Sequence, residues 1–470
     1  MLGWPTNRYP SYINIPTISN LNYNRINKFG ILTLLEQYSQ EHSHKRSSMD
    51  ILITDYYCAS NRGDAAILEG VYQSLEEVYP SADITVMTEN PRAAELVHGI
   101  DAESQTLAAF QWGLSKKNAA RAYLSLISPF FNQGILPPGF NYIKNRGNIQ
   151  PYLDADLVIS TGGQFLTDVY FPGKVGVLWE HYFLSQLNTP VVIYAQTLGP
   201  FNRQPYRRMT KSVLNKTKLI ITRDRQSKKI VEDLGVSTPV YFTADAAFSM
   251  GHRSDRESLL DVLSVSDTLP DENEFTVSIS VREWSHTDGD TSIDNYAQTI
   301  ADIADWLIEK KSANIVFAST CTGLAGYHTD DRLMAGQVVN KMQHGQQKEV
   351  QILAGEYTPQ ELVVIYEQMD LHIGMRMHSD ILAMMAETPV VAIQYQFKTE
   401  GLMEQFGLLD YMIDINDVNK ESLRKMVDKA LSNRSFITET IQSELPVVQN
   451  QSSQSAQLVA DHIGSEKEYK

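Results

Sequence analysis

Cysteine is almost absent from this chain: Cys58 and Cys321 are the only two in 470 residues. Two thiols so far apart build neither a disulfide framework nor a cysteine metal site, so both are read as reduced thiols of a cytoplasmic protein. Long apolar runs are missing as well. No stretch approaches the ~18 residues that a membrane-crossing helix needs, and residues 1–48 lack the continuous apolar segment of a secretory signal. Positive charge is in deficit: 40 Lys and Arg against 56 Asp and Glu leave a formal charge of −16, which argues against a general nucleic-acid surface. An anionic ligand would need a local cationic pocket to overcome that mean field. What is present is the composition of a folded protein, 43% hydrophobic and 20% charged, long enough for two domains of ordinary size.

Residues 1–48 are rich in Asn, Tyr and Ser and precede the first strand-like run, "MDILITDYY". They are read as an appended extension or an upstream mis-start, poorly ordered and dispensable for function. From Met49 short apolar runs alternate with longer amphipathic ones, the pattern of βα units on a parallel sheet. "DILITDYY", "ADITVMTE", "ADLVIST", "PVVIYAQ", "KLIITRD" and "PVYFTAD" read as strands. Residues 101–150 read as helical pieces and a mobile loop. A polar, acidic stretch, 249–274, reads as a linker, after which the alternation resumes with "FTVSISVRE", "ANIVFAS", "EVQILAG", "LHIGMRM" and "PVVAIQY". The expected fold class is α/β, with two doubly wound Rossmann-like domains facing a cleft in a GT-B-like arrangement. The domains are 49–248 and 275–417, and the tail 418–470 is expected to be helical and to pack back on the first of them. Ligands of open α/β sheets sit beyond the carboxyl ends of the strands, and the unusual residues fall there.

Each such motif has a structural reading beside a functional one. In "NRGDAAI", Gly63 permits a tight turn that offers a helix N-terminus to an anion or sugar, with Asn61 and Asp64 beside it; alternatively Asp64 simply caps the helix. "STGGQFLTD", with Gly162, Gly163 and Asp168, and "AQTLGPF" are either loops that let substrate approach backbone N–H groups or ordinary βα turns. Arg223 in "TRDRQS" and Arg282 in "SVRE" either fork onto anionic oxygens or pair with the neighbouring Asp224 and Glu283. "STCTG" through "DDR" reads as a capped helix or as the carrier of a catalytic carboxylate. The strongest case is "GMRMH" with "QYQFK". Arg376 and His378 alternate around Met377, so an extended strand would point both one way. Lys398 ends the next strand of a parallel βαβ unit, at the same sheet edge. A lysine opening a helix is disfavoured by the helix dipole, which suggests that Lys398 serves something other than packing. The three are expected to converge on one anion site.

In this order the motifs resemble the polysaccharide pyruvyl transferase family, and within it the members acting in colanic-acid biosynthesis. The likeness is carried by "NRGDAAIL", "STGGQFLTDVY", "TLGPF", "TRDRQS", "SISVRE", "STCTG…DDR", "GMRMHSDI" and "IQYQFKTEGLMEQFGL", from Met49 to near Asp417. One departure is "TADAAF", where a proline is expected more often than Ala246; it puts only a loop in doubt. The resemblance implies transfer of an enolpyruvyl-derived unit from phosphoenolpyruvate to a sugar, giving a pyruvate ketal and free phosphate. It implies no cofactor beyond that donor. Arg376, His378, Lys398 and Arg223 correspond to its donor-site residues. His378 would transfer protons, Arg376 and Lys398 would hold the donor anion and the departing phosphate, and Arg223 and Arg282 would be further anion contacts. Asn61, Asp64, Gly162, Gly163 and Asp168 would face the acceptor sugar. No metal-ligand cluster is visible, so metal-independent chemistry is expected. The partners expected are phosphoenolpyruvate and a saccharide acceptor; a lipid-linked one would be met peripherally at the cytoplasmic membrane surface. The competing readings are a GT-B glycosyltransferase using a nucleotide sugar and a non-catalytic scaffold.

Overall fold

The computed structural model describes residues 48–105, 148–170, 175–251, 256–265, 274–283, 293–323 and 329–464. The expectations for residues 1–47 and for the loop within 106–147 lie outside the described residues. Seven strands form the first sheet: β1 (Asp50–Thr54), β2 (Asp83–Thr88), β3 (Ala102–Ser104), β4 (Leu157–Ser160), β5 (Val191–Gln196), β6 (Leu219–Thr222) and β7 (Val240–Phe242). Their order is β3-β2-β1-β4-β5-β6-β7, every pair parallel. Six more form the second sheet: β8 (Thr276–Ser280), β9 (Asn314–Phe317), β10 (Val350–Ile352), β11 (Leu371–Gly374), β12 (Val390–Gln394) and β13 (Met412–Asp414). Their order, β10-β9-β8-β11-β12-β13, repeats the plan, again all parallel.

The central strands are buried on both faces because helices cover both. β4, β5, β6, β8 and β11 are buried at every position, as a parallel sheet in an α/β layer requires. β3 and β13 went unread in the sequence. Each has three residues at a sheet edge; β3 has no large apolar residue, and β13 lies directly between the short helical turns Leu409–Tyr411 and Ile415–Asp417. In each sheet the order reverses beside the first strand, between β1 and β4 and between β8 and β11. Crevices open at such reversals, at the carboxyl ends.

Two segments tie the sheets into one unit, Ser48–Lys470. The stretch read as a linker carries a helix, Arg256–Val265, whose Leu259 and Leu263 join a core containing residues of both sheets. Its apolar positions are too few and too interrupted to stand out among acidic neighbours. The long helix Arg434–Ile463 begins against the second sheet, where Arg434 pairs with Asp370 at 2.5 Å and Gln442 donates to Glu387 at 2.7 Å. It ends on the first: the Ser452 hydroxyl donates to the Asp245 carbonyl (2.9 Å), Ser455 meets Thr243 (2.8 Å), and the Tyr79 hydroxyl reaches the Gly464 carbonyl (3.1 Å). Ser452, Ser455 and Ala456 are buried there; small side chains let the helix backbone lie close to the Ala246–Ser249 turn.

Candidate active site at the facing strand ends

The carboxyl ends of the two sheets face each other across a cavity of about 410 Å³. From the first half, Tyr57, Asn61, Asp64, Gly163, Gln164, Phe165, Tyr170 and Arg223 line it. From the second come Arg282, Thr320, Thr329, Arg376, Met377, His378, Tyr395 and Lys398. Of the residues singled out from sequence, eight therefore share this wall and two do not. Gly162 packs on Ile67 and the Ala195 carbonyl, where a Cβ would come within 2.8 Å and 3.2 Å of them. Asp168 is buried and works as a staple between the loops after β4 and β5: its carboxylate accepts from the Arg203 N–H at 2.6 Å, and its own N–H donates to the Pro200 carbonyl.

The halves meet through backbone as well as side chains. The helix Arg62–Val78 is capped by Asn61, whose side-chain oxygen accepts from the Gly63 N–H at 3.1 Å; Asp64, expected as the alternative cap, lies in the first turn instead. The Arg62 N–H donates to the Thr320 carbonyl at 2.7 Å, and the Thr322 N–H to the Ser60 carbonyl at 3.2 Å. Gly63 cannot carry a side chain here, since a Cβ would lie 2.2 Å from Nδ1 of His378. The helix N-terminus of one half thus seats directly on the histidine of the other. Cys321 takes part in an isolated bridge to Asn61, and burial pushes its thiol up to about 12, so it is inert.

The strand geometry expected for Arg376 and His378 is wrong. β11 stops at Gly374, Arg376 is the N-cap of the helix Met377–Met385, and His378 is that helix's second residue. The physical reason lies at Gly374, where a Cβ would fall 1.7 Å from Oδ1 of Asp380: the buried helix turns back onto the strand end and leaves no room for a longer strand. The two side chains reach the cavity through the turn. Arg376 forks onto Asp331, Nε to Oδ2 at 3.0 Å and Nη2 to Oδ1 at 2.6 Å, both groups buried. The first "DDR" carboxylate caps its helix and the second, Asp331, holds this arginine.

Arg223 does not pair with its neighbour. Its guanidinium donates to Asp245 (2.6 Å) and to Thr197 (2.9 Å), while Asp224 caps the next helix through the Ser227 N–H. His378 completes this group, its Nε2 standing 3.5 Å from Nη1 of Arg223 and 3.6 Å from Oδ2 of Asp245. Burial alone would raise the Asp245 carboxyl, but Arg223, with His378 after it, holds it well below the usual carboxylate range. The third group surrounds Tyr395. The Arg282 guanidinium lies 4.6 Å and the Lys398 ammonium 5.4 Å from its ring centre, and Lys398 is the second residue of the helix Phe397–Gln405. Burial would push this phenol up; Arg282, then Lys398 and Arg376, more than offset it and bring the phenol down to about 7. Tyr395, Asp245 and the aromatic wall of Tyr57, Phe165 and Tyr170 had not been picked from sequence. Tyr395 carried a usable signal, its place at a strand end inside "QYQFK". Among the described residues no three His, Cys, Asp or Glu side chains gather as a metal site would require, and no described helix is long and apolar enough to cross a membrane.

Comparison with known proteins gives three kinds of likeness. A family model described as polysaccharide pyruvyl transferase matches residues 61–396. The chain is 27% identical over 408 residues to the amylovoran biosynthesis protein AmsJ of Erwinia amylovora, covering 84% of this chain and 94% of that one. Among solved structures, a glycosyltransferase from Rickettsia africae superposes with a TM-score of 0.54 at 12% identity, over 89% of this chain and 99% of that one. The UDP-GlcNAc 2-epimerase of Neisseria meningitidis superposes with a TM-score of 0.51 at 10% identity, over 88% and 99%. At such identities the structural matches establish the two-sheet fold and nothing of the chemistry.

Proposed function

Since the chain belongs to the polysaccharide pyruvyl transferase family, we propose that it moves the enolpyruvyl unit of phosphoenolpyruvate onto a sugar of an exopolysaccharide precursor, forming a pyruvate ketal and releasing phosphate. The observation that carries this reading is the convergence of Arg282, Arg376, His378 and Lys398 on one cavity of about 410 Å³ in a chain of formal charge −16. That volume lies within the ~300–1,000 Å³ typical of small-molecule sites. A donor with a carboxylate and a phosphate needs at least two cations to leave water, and the second half supplies them on one wall. A saccharide acceptor belongs on the opposite wall, where Asn61, Asp64 and Gly163 stand beside Tyr57, Phe165 and Tyr170. The relative named for amylovoran biosynthesis supports an exopolysaccharide acceptor, and we take it to be colanic-acid-like.

Ketal formation has to protonate the methylene carbon, deprotonate sugar hydroxyls and stabilise the charge of the departing phosphate. His378 gives the methylene proton, histidine being the side chain suited to proton transfer near neutral pH. Arg376, oriented by Asp331, and Lys398, at a helix N-terminus, hold the donor's anionic groups as charge shifts to phosphate. Arg223 acts at one remove: its fork is committed to Asp245 and Thr197, and together with Asp245 it fixes the His378 ring. No metal takes part. The reaction runs in the cytoplasm, and a lipid-linked acceptor would be met at the membrane surface. Thermal shift with phosphoenolpyruvate beside UDP- and GDP-sugars, followed by phosphate release against acceptor glycans, tests the reading. Stabilisation by phosphoenolpyruvate and acceptor-dependent phosphate release are expected. Stabilisation by nucleotide sugars alone would overturn the reading in favour of glycosyl transfer.

A further inference from the structure

Tyr395 sits one residue beyond β12, half-buried, with its ring on the cavity wall. Arg282 reaches it from the end of β8 and Lys398 from the helix that follows it. Attraction between cations and a ring face explains part of this grouping, but phenylalanine would serve that purpose equally well. The hydroxyl needs its own explanation. Tyr395 lines the same cavity as His378, and its hydroxyl hydrogen-bonds Lys398, which puts a second proton-transfer group beside the histidine at this site.

We propose that Tyr395 is a catalytic residue, its phenolate taking the proton of an acceptor hydroxyl as that oxygen attacks the donor. The assignment rests on the donor reading given above. In the first step the sugar oxygen bonds to C2 of phosphoenolpyruvate and its proton passes to Tyr395. The electron pair of the C=C bond takes a proton from the His378 imidazolium, making the methyl group. The bond from C2 to the phosphate oxygen then breaks with its electron pair on phosphate, which receives the proton from Tyr395. The second hydroxyl adds to C2 and gives its proton to neutral His378. Both groups return to their starting states, with no further reactant consumed.

The surroundings favour the phenolate. Arg282 faces it from β8, Arg376 from the turn after β11 and Lys398 from its own helix, with His378 beside Arg376 on that wall. Of the carboxylates nearby, Asp331 is engaged by Arg376 and Asp64 lies on the opposite half. The phenol accordingly titrates at about 7, against ~10 for an ordinary tyrosine. As a base it must be deprotonated while His378 must be protonated, so kcat/KM is bell-shaped in pH, and Tyr395 contributes its rising limb.

Tyr395→Phe is the test, with folding checked by thermal melting and phosphoenolpyruvate affinity by thermal shift. The variant should keep donor affinity within about threefold and lose turnover by about 100-fold or more, the range of general base catalysis. It should also lack the tyrosinate absorption that wild type develops near neutral pH. Arg282→Met should retain that signal and the rising limb of kcat/KM, both moved to higher pH. If wild type turns over and Tyr395→Phe matches it with the same pH profile, only the role of Tyr395 falls. If wild type releases no phosphate from phosphoenolpyruvate with any acceptor, the donor reading falls and takes this role with it.

Discussion

Gly63→Ala separates the site's geometry from the protein's stability. The added methyl would stand 2.2 Å from Nδ1, 2.5 Å from Cγ and 2.7 Å from Cβ of His378. Contacts between such atoms settle at ~3.5–4.0 Å, so methyl and ring must part by about 1.3 Å. Neither backbone yields easily. Gly63 lies in the first turn of a helix whose start is bonded to Thr320 at 2.7 Å, and His378 is the second residue of a buried helix. Rotation of the ring away from its place beside Arg223 and Asp245 relieves the contacts to Nδ1 and Cγ, and a small shift of one helix must relieve the contact to Cβ.

The stability cost of such overpacking is about 1–3 kcal/mol, offset by up to ~1 kcal/mol because alanine is the better helix former. Phosphate release from phosphoenolpyruvate should fall far more, by about 100-fold, as a misplacement near 1 Å does. A double-mutant cycle locates the cause. In a His378→Ala background the ring is gone and only the 2.7 Å contact to Cβ remains, so Gly63→Ala should cost clearly less stability there than in wild type. Wild-type turnover in the Gly63→Ala protein, or an equal stability loss with and without the ring, would refute the reasoning.

Asp331→Ala strands the Arg376 guanidinium in a buried place. It should cost about 3–5 kcal/mol in urea unfolding, and phosphoenolpyruvate affinity should fall with it. The depressed Asp245 carboxyl contributes stability that is complete above the unfolded carboxylate pKa of ~3.9 and is lost as pH falls below it. Acid titration of unfolding should therefore be shallower in Asp245→Asn than in wild type, and parallel curves would count against the Arg223–Asp245 pair. Lys398→Ala leaves a half-buried surface position and should fold normally, yet lose turnover by about 100-fold or more in the phosphate-release assay; unchanged turnover would remove Lys398 from the site.

The fold was legible where the chain states it redundantly. Runs such as "LVIS" and "VVIYA", buried on both faces, cannot be surface elements, and the central strands announced themselves in this way, while the edge strands β7 and β10 were read from shorter apolar runs. β3 and β13 did not: β3 has no large apolar residue, and β13 lies directly between the short helical turns Leu409–Tyr411 and Ile415–Asp417, whose apolar residues blur its ends. The helix Arg256–Val265 was hidden for a related reason: Leu259 and Leu263 meet their partners only in the tertiary structure. At the site, polar residues after apolar runs were readable as a set, through the rule that ligands gather at strand ends. Their pairings were not. Arg223 bypasses adjacent Asp224 for Asp245, 22 residues on, and Arg376 reaches back 45 residues to Asp331; local spacing encodes neither.

Those distant pairings change what the cations are for. Arg223 and Arg376 each spend part of a planar fork on a buried carboxylate, which fixes the fork's direction and cancels much of its charge. Such a pair orients more than it attracts. Arg282 and Lys398 are placed differently, around the ring of Tyr395, and the lowered phenol reports the field they make there. The site therefore divides its work, with the arginines forked onto carboxylates setting positions and the cations around Tyr395 setting the local potential. The coupling has a measurable consequence: Asp331→Asn should reorient Arg376 and strengthen its field at Tyr395 together, so the tyrosinate titration should move to lower pH even as donor affinity weakens. A titration that stays in place would mean that Arg376 does not act on the phenol.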